Sequence, residues 1–413
     1  MREALSAARV FLPGWIKSPA RFAFFVLAVH VLMVLPILVH HGFDPSAFIV
    51  AGDRFVDAAK TPAPLIVRPH SDGYDGQFYY RLALAPFTAE PAAFGITLDH
   101  PAWRMQRILL PLLVNAATFG RPAAMAWAFP AINLVGVLAI AAFAASLARR
   151  LNLPASVPIA IAFWPAWLIA LTHDTTEILA ASLLMAALWA FSMRRMAAYA
   201  VLVALATLAR ETAILVAIGI ALAQAWHTLR APTPRGWKQV LLAAAAIAPF
   251  LIWREAVAAL WHSAPQDHGL AHNAGWPFLG WAETAAANVM NRSIGEAAHP
   301  RTLIMRLTVL SSLALITAFS AYTVRASLKS LRDPTVAPQA TAWLLVFALM
   351  SLLTANGPLV EPTAFFRAFS ECWIVGWLVL GAAGDVWRIP SVATAVALCL
   401  VLRNWQLCWV QLY

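Results

Sequence analysis

The chain has 413 residues, of which 62% are hydrophobic and only 12% charged, about half the charge of an ordinary soluble domain. Several windows approach the roughly 20 apolar residues that cross a bilayer, which excludes a soluble globular protein and predicts an all-α, polytopic membrane protein. The net charge of +10 then reads as basic loops on the cytoplasmic side of the helices, not as a nucleic-acid-binding surface.

The N-terminal stretch "MREALSAARVFLPGWIKSPAR" is basic and somewhat amphipathic. It has no small-residue cleavage site after a short apolar core, so the first apolar run, 22–40, is expected to remain as an anchor. A long polar segment, 41–106, follows. Within it "HSDGYDGQFYYRLAL" (70–84) stands out from its greasy surroundings. Gly73 and Gly76 permit unusual backbone angles and close approach of a ligand. Asp72 and Asp75 supply carboxylates just outside the bilayer, and His70, Tyr74 and Gln77 add polar groups between them. A DG turn capping a helix accounts for one such acid; two acids in a Gly-rich turn favour a functional role. "QFYYRLAL" predicts a short amphipathic interfacial helix, with Phe78 and Leu82 on its apolar side and Tyr79, Tyr80 and Arg81 toward the headgroups.

Next comes "WRMQRILLP". Arg104 and Arg107 are three apart and share a helix face; guanidinium suits bidentate phosphate recognition, against the plainer reading of snorkelling to lipid headgroups. The segment 107–119 makes a helix only about 20 Å long, short of the roughly 30 Å hydrocarbon core, and is read as half-embedded. The remaining apolar runs predict spans at 123–148, 155–172, 177–193, 196–210, 212–226, 239–260, 302–323, 340–355, 372–387 and 390–403, about eleven with the first. With the N-terminus inside and 107–119 uncrossed, Arg149-Arg150, Arg194-Arg195, "RAPTPRGWK", "RASLKSLRD" and Arg388 all fall in the cytoplasm, as short basic loops should. The same choice sends Asp72, Asp75, Asp174, Glu177, Glu211, Glu361 and Glu371 to the outer ends of helices, along with Arg104, Arg107, His173, Arg210 and Arg367. A polar chamber at the outer face follows, with 261–301 and 356–371 as further outer loops. The Trp-bearing stretch of 261–301, "NAGWPFLGWAET", reads first as an interfacial belt.

Three other polar stretches belong to that chamber. In "LTHDTTEILA" (171–180), His173, Asp174 and Glu177 lie between two spans; a capping box is the bland account. "LARETAIL" (208–215) sets Arg210 beside Glu211, an expensive pair unless it faces protein, water or a charged ligand; an internal ion pair that fixes packing is the alternative. In "EPTAFFRAFSE" (361–371), Glu361, Arg367 and Glu371 flank an aromatic patch. No HExxH, CxxC pair, Walker loop or GxSxG is present, and Cys372, Cys399 and Cys408 show neither metal spacing nor a disulfide framework. His70, Asp72, Asp75 and His173 could together offer ligands to a divalent ion, yet their spacing demands none. No internal repeat is evident.

The succession "DGYDGQFYYRLAL", "RxxRILLP", "HD..E" and "RET" resembles a group of bacterial integral-membrane proteins of cell-surface glycopolymer formation. That group resembles in turn the GT-C superfamily of polyprenyl-phosphate-sugar glycosyltransferases. The resemblance covers most of residues 70–215 and the span plan. It implies an essential first-loop carboxylate, carried over to Asp75 with Asp72 as its neighbour, a polyprenyl-phosphate-sugar donor, a glycan or lipid-linked acceptor, and a plasma-membrane location with the site facing outward. The family's tyrosine in "RILYP" falls at Leu109–Leu110 here, so no hydroxyl role is expected at that point.

The residues suit such chemistry. Glycosyl transfer passes through an oxocarbenium-like state and needs a base for the acceptor's proton, which is Asp75 in this reading. The leaving lipid phosphate needs preorganised cations, for which Arg104, Arg107, Arg210 and Arg367 are candidates. His70, Tyr74, Gln77, His173, Asp174, Glu177, Glu211 and Glu361 are expected in support. No cofactor is required, and the partners expected are the donor, the acceptor and membrane lipids. The rivals are a transporter or flippase of lipid-linked sugars, which would keep its polar groups near the midplane in repeated halves, and a non-catalytic subunit of a polysaccharide assembly system.

Overall fold

In the computed structural model of the chain, residues 18–263, 274–290, 303–354, 359 and 362–384 are described. Helices make up 73% of the described residues, so most of their backbone polar groups are satisfied within their own element, as hydrocarbon requires. Among the described residues, five helices or helix pairs are long and apolar enough to cross a membrane: Pro19–His40, Pro122–Arg150, Ala213–Arg230, Pro234–Trp261 and Arg306–Ser330. Shorter apolar helices fill the space among them: Leu109–Thr118, Ser156–Thr172, Glu177–Ser192, Met196–Ala209, Ala337–Ser351 and Ser370–Ala383. The expected span at 390–403 and the acid Glu361 lie outside the described residues.

Proline and capping residues set several boundaries. Ser18 caps the first helix, accepting from the Arg21 N–H, and Pro19 follows where its missing N–H costs nothing. The stretch 155–172, expected as one span, is two helices, Ser156–Ala162 and Pro165–Thr172. Pro165 cannot donate to the preceding turn and forces Trp164 into an extended conformation. The run expected at 239–260 begins earlier and divides into Pro234–Ala245 and Ala248–Trp261, the break falling just before Pro249. The segment 107–119 contains a helix of ten residues, Leu109–Thr118, about 15 Å long and closed by Phe119 and Gly120 in left-handed conformation.

The long segment 41–106 is folded rather than loose. It holds a parallel pair of two-residue strands, Ala51–Gly52 with Val67–Arg68, and an antiparallel pair, Ala92–Ala93 with Ile96–Thr97. It also holds two helices, Asp75–Leu84 and Pro101–Met105. The first is the helix expected from the motif, but it does not lie on an interface. Every residue from Gly76 to Ala83 is buried, Tyr79, Tyr80 and Arg81 completely. The amphipathic pattern anticipates a surface on one side; the rest of the segment and the 109–150 helices cover both.

Tryptophans seat the C-terminal helices. Trp164 stacks on Trp373 with ring centroids 4.2 Å apart. Its indole N–H donates to the carbonyl of Phe366, and that of Trp373 to the carbonyl of Ala160. Buried indoles that find a polar partner give both apolar area and orientation. These two tie Pro362–Ala368 and Ser370–Ala383 to the broken 156–172 helix, and so place Arg367.

Candidate functional site

The site begins at the first turn of the Asp75–Leu84 helix. The peptide of Tyr74 donates to the carbonyl of Val50 at 2.8 Å. Gln77 clasps the same strand: its amide oxygen accepts from Gly52, and its amide nitrogen donates to the carbonyl of Asp72. Gly76 meets the 173 loop backbone to backbone. A methyl group there would stand 2.4 Å from the carbonyl oxygen of His173 and 2.7 Å from that of Ile49, so only glycine lets the helix start this close to the 172–177 loop. The result is that Asp75 is carried into the interior.

Asp75 sits between two arginines. Its Oδ1 accepts from Arg104 at 2.7 Å and its Oδ2 from Arg367 at 2.6 Å. Arg104 is gripped on its other side by both oxygens of Asp99, at 2.8 and 2.6 Å, and packs over the rings of Phe78 and Trp103. Arg367 also reaches Glu177 at 2.8 Å and lies over the ring of Tyr74, which packs edge-on against His173. A second pair of ion pairs lies alongside. Arg107 binds Glu211 through two nitrogens and the Tyr79 hydroxyl through a third hydrogen bond. Arg210 donates to the carbonyl of Arg367 at 2.6 Å and stands 3.5 Å from Glu371, which also accepts from the Thr212 hydroxyl. Arg104, Arg107, Arg210 and Arg367 are all less than a tenth exposed.

The electrostatics follow from that packing. Burial alone would raise Asp75, but Arg104 and Arg367 overcome it and hold the carboxyl well below the usual range. It is ionised, with both oxygens committed to guanidinium groups, and is a weak base in this state. His173 is lowered to about 4, by burial first and then by Arg367, so it is neutral at pH 7. Asp174 is the reverse of Asp75: fully buried, in left-handed backbone conformation, with neither carboxyl oxygen hydrogen-bonded among the described residues. Desolvation pushes it well above the usual carboxylate range.

That gives a pH prediction with a definite sign. An acid whose folded pKa is raised contributes stability below its unfolded value, near 3.9, and loses it as pH rises toward the folded value. Asp174→Asn keeps the shape and the tolerance for left-handed backbone but cannot ionise. Its melting temperature in detergent should match wild type near pH 4 and exceed it increasingly toward neutral pH. A variant that melts below wild type at pH 7 would mean that the ionised carboxylate has a stabilising partner.

The expected residues do not all meet. Asp75, Arg104, Arg107, Arg210, Arg367, Glu177 and Glu211 form one cluster, the arginines and Glu177 buried and Asp75 and Glu211 partly so, with Tyr74 and His173 against it. Asp72 does not join them: its side chain is 66% exposed and paired at 2.9 Å with the equally exposed Arg54. His70 is exposed too, its peptide N–H held by Asp53. Gln77 supports backbone only. Arg104 and Arg107 do not share a helix, since Pro101–Met105 ends between them; both instead flank Trp103. Three members have no site role in the sequence reading. Asp99, in "DHPAWR", is betrayed only by an acid five residues ahead of Arg104. Tyr79 belongs to the motif but looks like an interfacial aromatic. Glu371 falls at the outer face in the span plan but looks there like a helix-end charge. Among the described residues no group of three or more His, Cys, Asp or Glu is arranged to hold a metal ion.

No family model, curated protein or solved structure matches the chain.

Proposed function

We propose that the chain is a membrane glycosyltransferase that moves a sugar from a polyprenyl-phosphate donor to a glycan or lipid-linked acceptor. In this reading the acceptor hydroxyl attacks the anomeric carbon, its proton passes to Asp75, and the bond from that carbon to the phosphate oxygen breaks to release polyprenyl phosphate. The observation that carries the proposal is the largely buried carboxylate of Asp75, held by Arg104 and Arg367 with Arg107 and Arg210 close by, four arginines drawn from three separate segments. Buried ion clusters are expensive and are retained where chemistry or specificity needs them.

The partners set the order of events. The four arginines face five carboxylates, Asp75, Asp99, Glu177, Glu211 and Glu371, so an incoming phosphate finds no idle cation. It must take guanidinium groups from a carboxylate. Arg210 and Arg367 each keep a buried Nε–H without a hydrogen-bond partner among the described residues, a donor each can turn to the phosphate once its guanidinium moves. Drawing Arg104 and Arg367 off Asp75 raises its basicity, so the donor itself arms the base. A divalent ion is not part of this scheme.

The site is placed at the outer face of a bacterial plasma membrane, with the N-terminus cytoplasmic. The short apolar helices of 14 to 17 residues are about 21–26 Å long, lengths that cross where the bilayer thins. Five of them and the five long ones, with the apolar run 390–403 expected to cross from its sequence alone, make up the eleven-span plan. In a chain freed of its three native cysteines, Ala89→Cys should react from outside with an impermeant thiol reagent and Ala231→Cys should not; both positions are exposed. Labelling of the second alone would reverse the orientation. The reaction is tested by supplying proteoliposomes with a labelled polyprenyl-phosphate sugar and an acceptor glycan. Label in the glycan supports transfer, and label that only changes leaflets supports a flippase.

A further inference from the structure

A second feature of the 41–106 segment is not used by the cluster. A cavity of ≈ 470 Å³ opens between residues 53–60 and the 92–97 hairpin, within the size range of small-molecule sites. Its walls include Phe55 and Phe94, and its rim Asp53, Arg54, Asp57 and Lys60. The rim is balanced in charge, two acids against two bases. Lys60 pairs with Asp57 at 2.7 Å, Arg54 pairs with Asp72, and Asp53 accepts from the peptides of His70 and Ser71.

The turn of the hairpin is the informative part. Phe94 and Gly95 connect the two strands, with φ of 54° and 71°. A two-residue hairpin turn with both φ positive favours asparagine, aspartate or glycine first and glycine second. Gly95 obeys: a methyl group there would stand 2.6 Å from the carbonyl of Asp57. Phe94 does not, since a bulky side chain is poorly tolerated in the left-handed region. Its ring is 43% exposed, faces the cavity, and is backed by the Arg81 guanidinium 5.2 Å from its centre. The hairpin is fixed in place by hydrogen bonds from Asp57 to Gly95 and from Thr97 to Phe55. Strain held by a rigid surround is characteristic of sites that present a side chain to a ligand. The turn has no use for an aromatic ring; a ligand with an apolar face has.

We propose that this cavity binds a neutral saccharide, a sugar unit of the acceptor other than the one that reacts, with one pyranose face on Phe94 and its hydroxyls on the charged rim. The aromatic wall and polar, charge-balanced rim select an uncharged polyol over a phosphate. The position fits as well. Phe55 packs edge-on against Phe78 at 5.3 Å, Phe78 lies under Arg104, and Arg104 binds Asp75. The cavity wall is thus two side chains from the proposed base. Calling the saccharide part of the acceptor rests on the glycosyltransferase reading; the binding itself does not.

The test uses the full chain in nanodiscs and saturation-transfer NMR with the methyl glycosides of glucose, galactose, mannose, rhamnose and N-acetylglucosamine, each alone. At least one should receive saturation on a single ring face. Phe94→Asn should weaken that binding by roughly tenfold while melting no lower than wild type, because asparagine suits the turn. Saturation of none of the five, unchanged binding by Phe94→Asn, or a lower melting temperature for that variant would each overturn the proposal; the last would mean that the ring serves packing on Arg81. Glycoside binding without any transfer would leave this site standing and overturn the transferase reading. Transfer without glycoside binding would do the opposite.

Discussion

Asp75→Asn is expected to lower single-turnover sugar transfer by roughly 10²–10⁴-fold, the usual worth of a general base. The sequence places this carboxylate on a loop surface, where an isosteric amide would cost little stability. The structure holds it, only 19% exposed, between the buried guanidinium groups of Arg104 and Arg367, so the same substitution also removes one partner from each of two largely buried ion pairs. Breaking a buried pair costs about 3–5 kcal/mol when the survivor is left alone. Here Arg104 keeps Asp99 and Arg367 keeps Glu177, and the cost should fall below that range. Asp99→Asn separates the two effects. It takes a bidentate carboxylate from the same Arg104 but no proposed proton acceptor, so it should lose comparable stability and less than about tenfold of transfer. Equal losses of transfer in the two variants would reduce Asp75 to a structural anion. Asp72→Asn, at an exposed pair with Arg54, should transfer and melt as wild type does.

Arg367→Ala is expected to be the most damaging change at an arginine. Its guanidinium bridges Asp75 and Glu177, which belong to different helices, and Glu177 is only 1% exposed. Removal leaves two buried carboxylates short of a cation, at about 3–5 kcal/mol for the pair it breaks. Transfer should fall by roughly 10²–10³-fold through loss of a preorganised cation for the leaving phosphate. Arg367→Lys distinguishes charge from geometry. A single ammonium cannot reproduce the planar fork that spans both acids, so it should recover part of the stability and little of the transfer. Full recovery of transfer by lysine would make Arg367 a point charge, and the exchange of guanidinium from Asp75 to phosphate would lose its basis.

Much of the fold class and part of the site could be read from residues alone, for reasons that differ. Long apolar runs bounded by Ser18-Pro19 or ending in Arg149-Arg150 are local signals, and helices form there. The breaks at Trp164 and before Pro249 were equally local, since proline marks them. The burial of Tyr79, Tyr80 and Arg81 was not: an amphipathic period assigns one buried face, and nothing local says that a second layer covers the other. Asp75 stood out because two acids in a Gly-rich turn are unusual in so apolar a chain. Its partners were harder to read. Arg367 lies 292 positions away in sequence, and tertiary contacts such as the Trp164–Trp373 stack and the close approach at Gly76 bring the two together. Asp72 looked equivalent to Asp75 because spacing carries no information about which carboxylate the helix start turns inward.

The central claim is that Asp75 accepts a proton while a sugar leaves a lipid phosphate. The most direct measurement is single-turnover transfer in nanodiscs, where no second compartment exists for a flippase to fill. The donor is a radiolabelled polyprenyl-phosphate sugar, the acceptor a glycan, and both products are counted. Wild type should release one free polyprenyl phosphate for each labelled glycan formed, and Asp75→Asn should bind the donor yet form both products roughly 10²–10⁴ times more slowly. Equal rates for wild type and Asp75→Asn, or donor bound by wild type with no labelled glycan from any acceptor tried, would contradict the account.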